Sequence, residues 1–138
     1  LLVQIGGIIR TSKIINVHDD EDYITLLDLI DRRGKFLNVE VRCEGHTDDF
    51  KLPPRAEFPS NWELSSARSL NLVRLLSTYA GMPEKHFSAL GYGEFRPLID
   101  VSSLSNSAEI SEARANNRRV EIYLDAFLKQ KIIGGASL

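Results

Sequence analysis

Apolar residues in this chain fall into alternating stretches and helical stripes, separated by breaks rich in glycine and proline. Residues 1–17 alternate loosely through Val3, Ile5, Ile8, Ile9, Ile14, Ile15 and Val17, which predicts one or two short strands. The run Asp19-Asp20-Glu21-Asp22 suits the positive end of a helix dipole. Ile24, Leu27 and Ile30, widened by Leu26 and Leu29, then predict a helix to about Arg33, closed by Gly34. Val39, Val41 and Cys43 alternate with Glu40, Arg42 and Glu44, the pattern of a half-buried strand with Cys43 facing the core. Pro53, Pro54 and Pro59 mark a loop from Phe50 onward. Ser60 and Glu63 form a capping box, so a helix starts there and runs to about Tyr79, stopped by Gly81 and Pro83. Phe87 to Tyr92 reads as a strand, Leu98 to Asn106 as a polar loop and Ala108 to Asn116 as a short helix. Val120, Ile122 and Leu124 alternate in a last strand.

Strands alternating with helices, without internal repeats, predict an α+β fold (an α/β sandwich), with a mixed β-sheet of about four strands covered by helices on one face. The expected organisation is an N-terminal strand and helix segment over 1–36, a core over 37–125 and a C-terminal extension over 126–138.

Composition narrows the function. The chain has 138 residues, 43% of them hydrophobic and 26% charged, enough for one sizeable core. Its 17 Lys and Arg are matched by 19 Asp and Glu, so it lacks the dense cationic field of a general nucleic-acid binder. Cys43 is the only cysteine, which excludes an internal disulfide and a cysteine-based metal cluster. No secretory leader or bilayer-length apolar run is present, and there is no initiator methionine. The chain therefore reads as a piece of a longer protein, from which an upstream anchor could have been cut away.

Candidate chemistry gathers around Glu44-Gly45-His46-Thr47-Asp48-Asp49 and Ser60-Asn61-Trp62-Glu63-Leu64-Ser65-Ser66-Ala67-Arg68. At ~100° per residue, Leu64, Ala67, Leu72, Leu75, Leu76 and Tyr79 share one helix face, with Arg68 near its middle. A charge there is costly unless paired. Either Arg68 forms a structural ion pair with Glu44, Asp48 or Asp49, or it reaches a pocket at the sheet edge. Glu44, His46 and Asp48 alternate and so share a face while the strand continues, a ligand set that raises a metal site. The absence of a second histidine at ligand spacing weighs against it, and no metal is expected. No serine sits in a nucleophile elbow, and a core-facing Cys43 does not suit a nucleophile. Trp62 and Tyr92 are aromatic candidates for a ligand platform or for the rim of the core.

Gly45-His46-Thr47-Asp48, Leu64-Ser65-Ser66-Ala67-Arg68, Leu90-Gly91-Tyr92-Gly93-Glu94-Phe95-Arg96-Pro97 and Asn117-Arg118-Arg119-Val120-Glu121-Ile122 together resemble the OmpA-like peptidoglycan-binding domain. Each block alone is weak, but all four occur in family order over about residues 37 to 125. Within that family, Phe58-Pro59-Ser60-Asn61-Trp62-Glu63-Leu64-Ser65 and the proline-rich loop before it are similar to the MotB-type flagellar stator subunits.

The resemblance implies a periplasmic domain of an inner-membrane-anchored protein that grips peptidoglycan without cleaving it. It implies no enzyme activity, no cofactor and no catalytic residue. Its ligand would be the diaminopimelate of the stem peptide, which carries an ammonium and a carboxylate on one carbon. Asp48 would take the ammonium and Arg68 the carboxylate, with Thr47 also among the peptidoglycan-binding residues. Asn61 would hydrogen-bond the peptide, and Arg118 would help hold the carboxylate end. The implied partners are peptidoglycan, a second copy in a homodimer, and a membrane-embedded MotA-like stator partner. Other readings are an OmpA- or Pal-like envelope tether, a metal-dependent peptidoglycan amidase using Glu44, His46 and Asp48, and a protein-interaction domain.

Overall fold

The computed structural model describes residues 2–11 and 21–132. The elements are α1 (Leu2–Thr11), α2 (Glu21–Arg32), β1 (Lys35–Gly45), α3 (Asn61–Ala80), β2 (Phe87–Gly91), α4 (Ser107–Asn117) and β3 (Val120–Gln130). Short 3-10 turns at Glu84–His86 and Val101–Ser103 complete them. The expected helices and sheet form an α+β fold, but among the described residues the sheet has three strands rather than about four. The missing one is the N-terminal strand: Leu2–Thr11 is a helix. A short apolar run does not distinguish the two by periodicity. Ile5, Ile8 and Ile9 also stand at helical spacing, and packing of Ile5 and Ile9 onto the core decides for the helix. The remainder of the expected strand region, residues 12–17, lies outside the described residues.

The sheet order is β2-β1-β3, with β1 parallel to β2 and antiparallel to β3. The β1–α3–β2 unit is the crossover that a parallel pair requires. Val41 and Cys43 on β1, with Ile122 and Leu124 on β3, turn one sheet face toward Leu76, Val73, Ala80 and Ile9. The alternate residues Arg42, Glu44, Glu121, Tyr123 and Asp125 give the other face a polar character. Cys43 is fully buried, and burial pushes its thiol pKa up to about 11, so it behaves as a small core residue.

Local signals set the helix ends. The Ser60 hydroxyl accepts a hydrogen bond from the Trp62 N–H at 3.1 Å and bonds the Glu63 carboxylate. Gly81 ends α3 with φ 64°, a left-handed cap. Asn106 caps α4 by accepting from the Ala108 N–H at 2.9 Å.

The buried face of α3 differs from the expected one. Asn61, Ser65, Ser69, Val73, Leu76 and Ala80 are buried, whereas Leu75 and Tyr79 are exposed. The helix is therefore turned by roughly a quarter of a revolution from the most apolar orientation. The physical reason lies at Gly45 and Gly91. A Cβ at Gly45 would come 2.0 Å from the Ser65 carbonyl oxygen, and one at Gly91 would come 2.2 Å from Ser66 Oγ. Small residues on both sides let the first turns of α3 lie directly on the strand ends. Arg68 is consequently half-buried beside that face and not at its centre.

Candidate functional site

Beyond Gly45, β1 leaves the ladder but its backbone stays anchored on both sides. The His46 N–H donates to the Arg119 carbonyl at 2.9 Å, and the Thr47 N–H to the Gly93 carbonyl at 2.9 Å. The Tyr92 N–H donates to the Gly45 carbonyl at 3.0 Å, and the Gly93 N–H to Ser65 Oγ at 2.9 Å. His46, Thr47 and Asp48 are thus held by α3, by the turn after β2 and by the start of β3, and all three are buried. Burying these polar residues is tolerated where their groups are hydrogen-bonded. The Thr47 hydroxyl donates to the Asp48 carbonyl at 3.0 Å.

Asp48 is 8% exposed. Its Oδ1 accepts from the Phe50 N–H at 3.2 Å, and its Oδ2 pairs with Arg118 Nη1 at 2.7 Å. Asn61, the first residue of α3, donates from Nδ2 to the Phe50 carbonyl at 2.9 Å and to Glu94 Oε2 at 2.6 Å. A third, longer contact of 3.4 Å reaches the Asp48 carbonyl. Asp49 turns the other way: its carboxylate takes a two-point bond from Arg114 at 2.7 and 2.8 Å, which holds its pKa below the ordinary 3.8. Arg114 also lies 4.0 Å over the Phe50 ring.

The structure therefore gathers Thr47, Asp48, Asn61 and Arg118 into one hydrogen-bonded group. Arg68 stands outside it. The structural partners considered for Arg68 are engaged elsewhere: Asp48 with Arg118, Asp49 with Arg114 and Glu44 with Arg42. Among the described residues Arg68 forms no ion pair. It follows Asn61 by seven residues, two turns at almost the same angle and about 10 Å along the axis.

Asn61 also opens onto a groove of about 310 Å³ lined by Lys51, Leu52, Trp62, Glu94 and Phe95. Trp62 is half exposed there and stacks on Phe95 at 5.1 Å. Tyr92, the other aromatic candidate, is instead half-buried, with His46 stacked 5.3 Å away and the Arg96 guanidinium 3.8 Å from its ring centroid. Sequence reasoning missed Glu94 as the partner of Asn61; it sits 33 positions away in a turn, and no periodic signal links the two.

The metal trio read from alternation does not assemble. Asp48 is drawn to Arg118, while Glu44, His46 and Glu121 place one ligand atom each within 4.8 Å of one another. His46 is 2% exposed, and its pKa is lowered first by burial and then by the Arg119 charge, so the imidazole is neutral near pH 7. Neither ring nitrogen has a hydrogen-bond partner. Glu121 comes from β3, and a pairing across the sheet leaves no trace in local spacing.

The OmpA family matches residues 15–111. Motility protein B of Bacillus subtilis (strain 168) is 40% identical over 84 residues, which are 61% of this chain and 29% of that protein. A solved MotB-like protein from Desulfovibrio vulgaris is 37% identical with a TM-score of 0.53, covering 74% of this chain and 58% of that one. The periplasmic domain of Helicobacter pylori MotB, at 24% identity and a TM-score of 0.59, covers 89% of this chain and 63% of that one and shares its fold. The chain thus spans less than a third of the curated relative and less than two thirds of these solved chains. Among the described residues, no helix is long and apolar enough to cross a membrane.

Proposed function

The chain belongs to the OmpA family, and on that premise we propose that it binds the diaminopimelate of peptidoglycan stem peptides without cleaving them. In this reading it is the periplasmic part of a MotB-type stator subunit. It anchors the motor to the cell wall as a homodimer, alongside a membrane-embedded MotA-like partner in the full-length protein. The boundaries 1–36, 37–125 and 126–138 then separate an entry segment, the binding core and an extension.

The observation that carries this reading is Arg68: a half-buried residue with no ion pair among the described residues, while Glu44, Asp48 and Asp49 are paired with Arg42, Arg118 and Arg114. It is free to take a ligand carboxylate through its planar fork. Its Cα–Cβ bond tilts toward the start of α3, the end at which Asn61 and Asp48 lie. Asp48 has lone pairs left after its bonds to the Phe50 N–H and Arg118, and it takes the ammonium. Arg118, paired with Asp48 at 2.7 Å, orients its carboxylate and helps hold the carboxylate end of the ligand, and Asn61, which lines the groove, bonds the peptide. Thr47 fixes the turn that presents Asp48.

The test is co-sedimentation with purified, protein-free sacculi. The folded chain pellets with diaminopimelate-type walls. Asp48→Ala and Arg68→Ala each lose roughly 2–5 kcal/mol of binding, a factor of roughly 30 to several thousand. Equal binding of the intact chain and both variants overturns the reading, and so does equal retention on walls whose stems carry lysine in place of diaminopimelate.

A further inference from the structure

The polar face of the sheet holds an arrangement that the proposed wall binding does not use. Glu44 and Glu121 are direct partners in the antiparallel register of β1 and β3. Like charges directly opposite each other destabilise a ladder, and here one of the two, Glu44, is only 6% exposed. Two residues beyond Glu44 stands His46, 2% exposed, with Nδ1 and Nε2 both unpartnered and Nε2 3.9 Å from Glu44 Oε2. A buried imidazole without hydrogen bonds is costly unless something else engages its lone pair.

We propose that Glu44, His46 and Glu121 form a binding site for a first-row divalent cation, with Zn²⁺ the best-matched ion. One imidazole and two carboxylates are a donor set that suits Zn²⁺. The three ligand atoms lie within 4.8 Å of one another, while ligands of one zinc ion at about 2.0–2.2 Å stand at most about 4 Å apart. Binding would therefore draw the carboxylates inward, with the half-buried Glu121 side chain the one with most room to rotate.

The two carboxylates are currently offset by guanidiniums, and both guanidiniums have somewhere else to go. Arg42 lies 3.0 Å from Glu44 Oε1 but also 3.3 Å from Asp125 and 5.0 Å over the Tyr123 ring. Arg119 pairs with Glu121 at 2.6 Å but also donates to the Asn117 and Arg96 carbonyls, each at 3.3 Å. A cation between the carboxylates would take over the charge that these arginines balance. The hydroxyls of Tyr92 and Tyr123, bonded to Glu44 and Glu121 respectively, would orient the ligating carboxylates from behind. The ion would clamp the end of β1 to β3 immediately before Thr47 and Asp48, and its role is structural.

The experiment is calorimetric titration of the chelator-stripped 138-residue chain with ZnCl₂, repeated with Co²⁺ to read the visible absorption of the bound ion. One ion should bind per chain, and Co²⁺ should show the intense bands of a low-coordinate nitrogen and oxygen site. His46→Gln and Glu121→Gln should each weaken Zn²⁺ by about tenfold or more. If His46→Gln fails to fold, the half-buried Glu121→Gln decides alone. No saturable Zn²⁺ binding, or binding unchanged in Glu121→Gln, overturns the proposal. Binding that vanishes instead in a His18→Gln, His86→Gln double variant also overturns it.

Discussion

At the Lys35↔Gln130 end of the β1–β3 ladder, Phe36, Phe127 and Leu128 are between 38% and 51% exposed. At and beyond the Gly45↔Val120 end, Glu44, His46, Thr47 and Asp48 are all at most 8% exposed. The far end of this strand pair thus leaves apolar residues exposed while the near end buries polar ones, although Val41 and Cys43 between them are fully buried. The difference follows from what lies over each end. The first turns of α3 press on Gly45 and Gly91, and the Gly93 turn and the Arg119 backbone hold the segment from its other sides. Burial at this end comes from close backbone approach and hydrogen bonding, whereas the other end carries apolar side chains without that cover. At the Gly45 end of the sheet, depth therefore marks the candidate site and not hydrophobicity.

The strongest way to break the contrast is to hold α3 off the sheet. Gly45→Ala places a Cβ 2.0 Å from backbone atoms of Ser65 that have no rotamer to adopt. It should cost about 3 kcal/mol or more, read from urea denaturation, and should weaken sacculus binding along with stability. Retention of full stability would mean that the approach of helix to strand is softer than this geometry demands.

A smaller effect tests the electrostatic side of the buried end. Arg114 holds the Asp49 pKa below 3.8, so the pair contributes stability that is full above that value and is lost as pH falls through the depressed one. Thermal melts of the intact chain and Arg114→Ala should therefore differ most above the ordinary carboxylate value of 3.8 and converge as pH falls below it. Added salt should narrow the gap, because the pair is partly exposed. A gap that widens on acidification would rule this pairing out as its cause.

The least effect is expected at the other end. Leu128→Thr, at a half-exposed position of β3, should change stability by less than about 0.5 kcal/mol in the same denaturation assay. A large loss would show that this end is covered in solution, and its apolar residues would then have to be counted with an interface.

Much of this was legible from local pattern. The capping box at Ser60, the glycine stops at Gly34 and Gly81, the alternation through Cys43 and the helix before Asn117 all act within a few residues, and the elements form where those signals stand. The ordered motif blocks also pointed to the family that matches the chain. Periodicity misread the first helix, because Ile5, Ile8 and Ile9 satisfy helical spacing and loose alternation alike. It also misread the buried face of α3, because Ser65 and Ser69 look like surface residues until Gly45 and Gly91 are seen to require small neighbours.

The amino-acid sequence by itself determined which segments are helices or strands in the core, and which residues could carry charge to a site. Only the tertiary structure decided that Asp48 meets Arg118 across 70 positions, that Asn61 meets Glu94, and that Glu121 stands opposite Glu44 beside an unpartnered His46. Caps and periodicities are set by neighbours along the chain. Charge partners in this protein are set by strand register and by how closely a helix can lie on two glycines, and neither is written in local spacing.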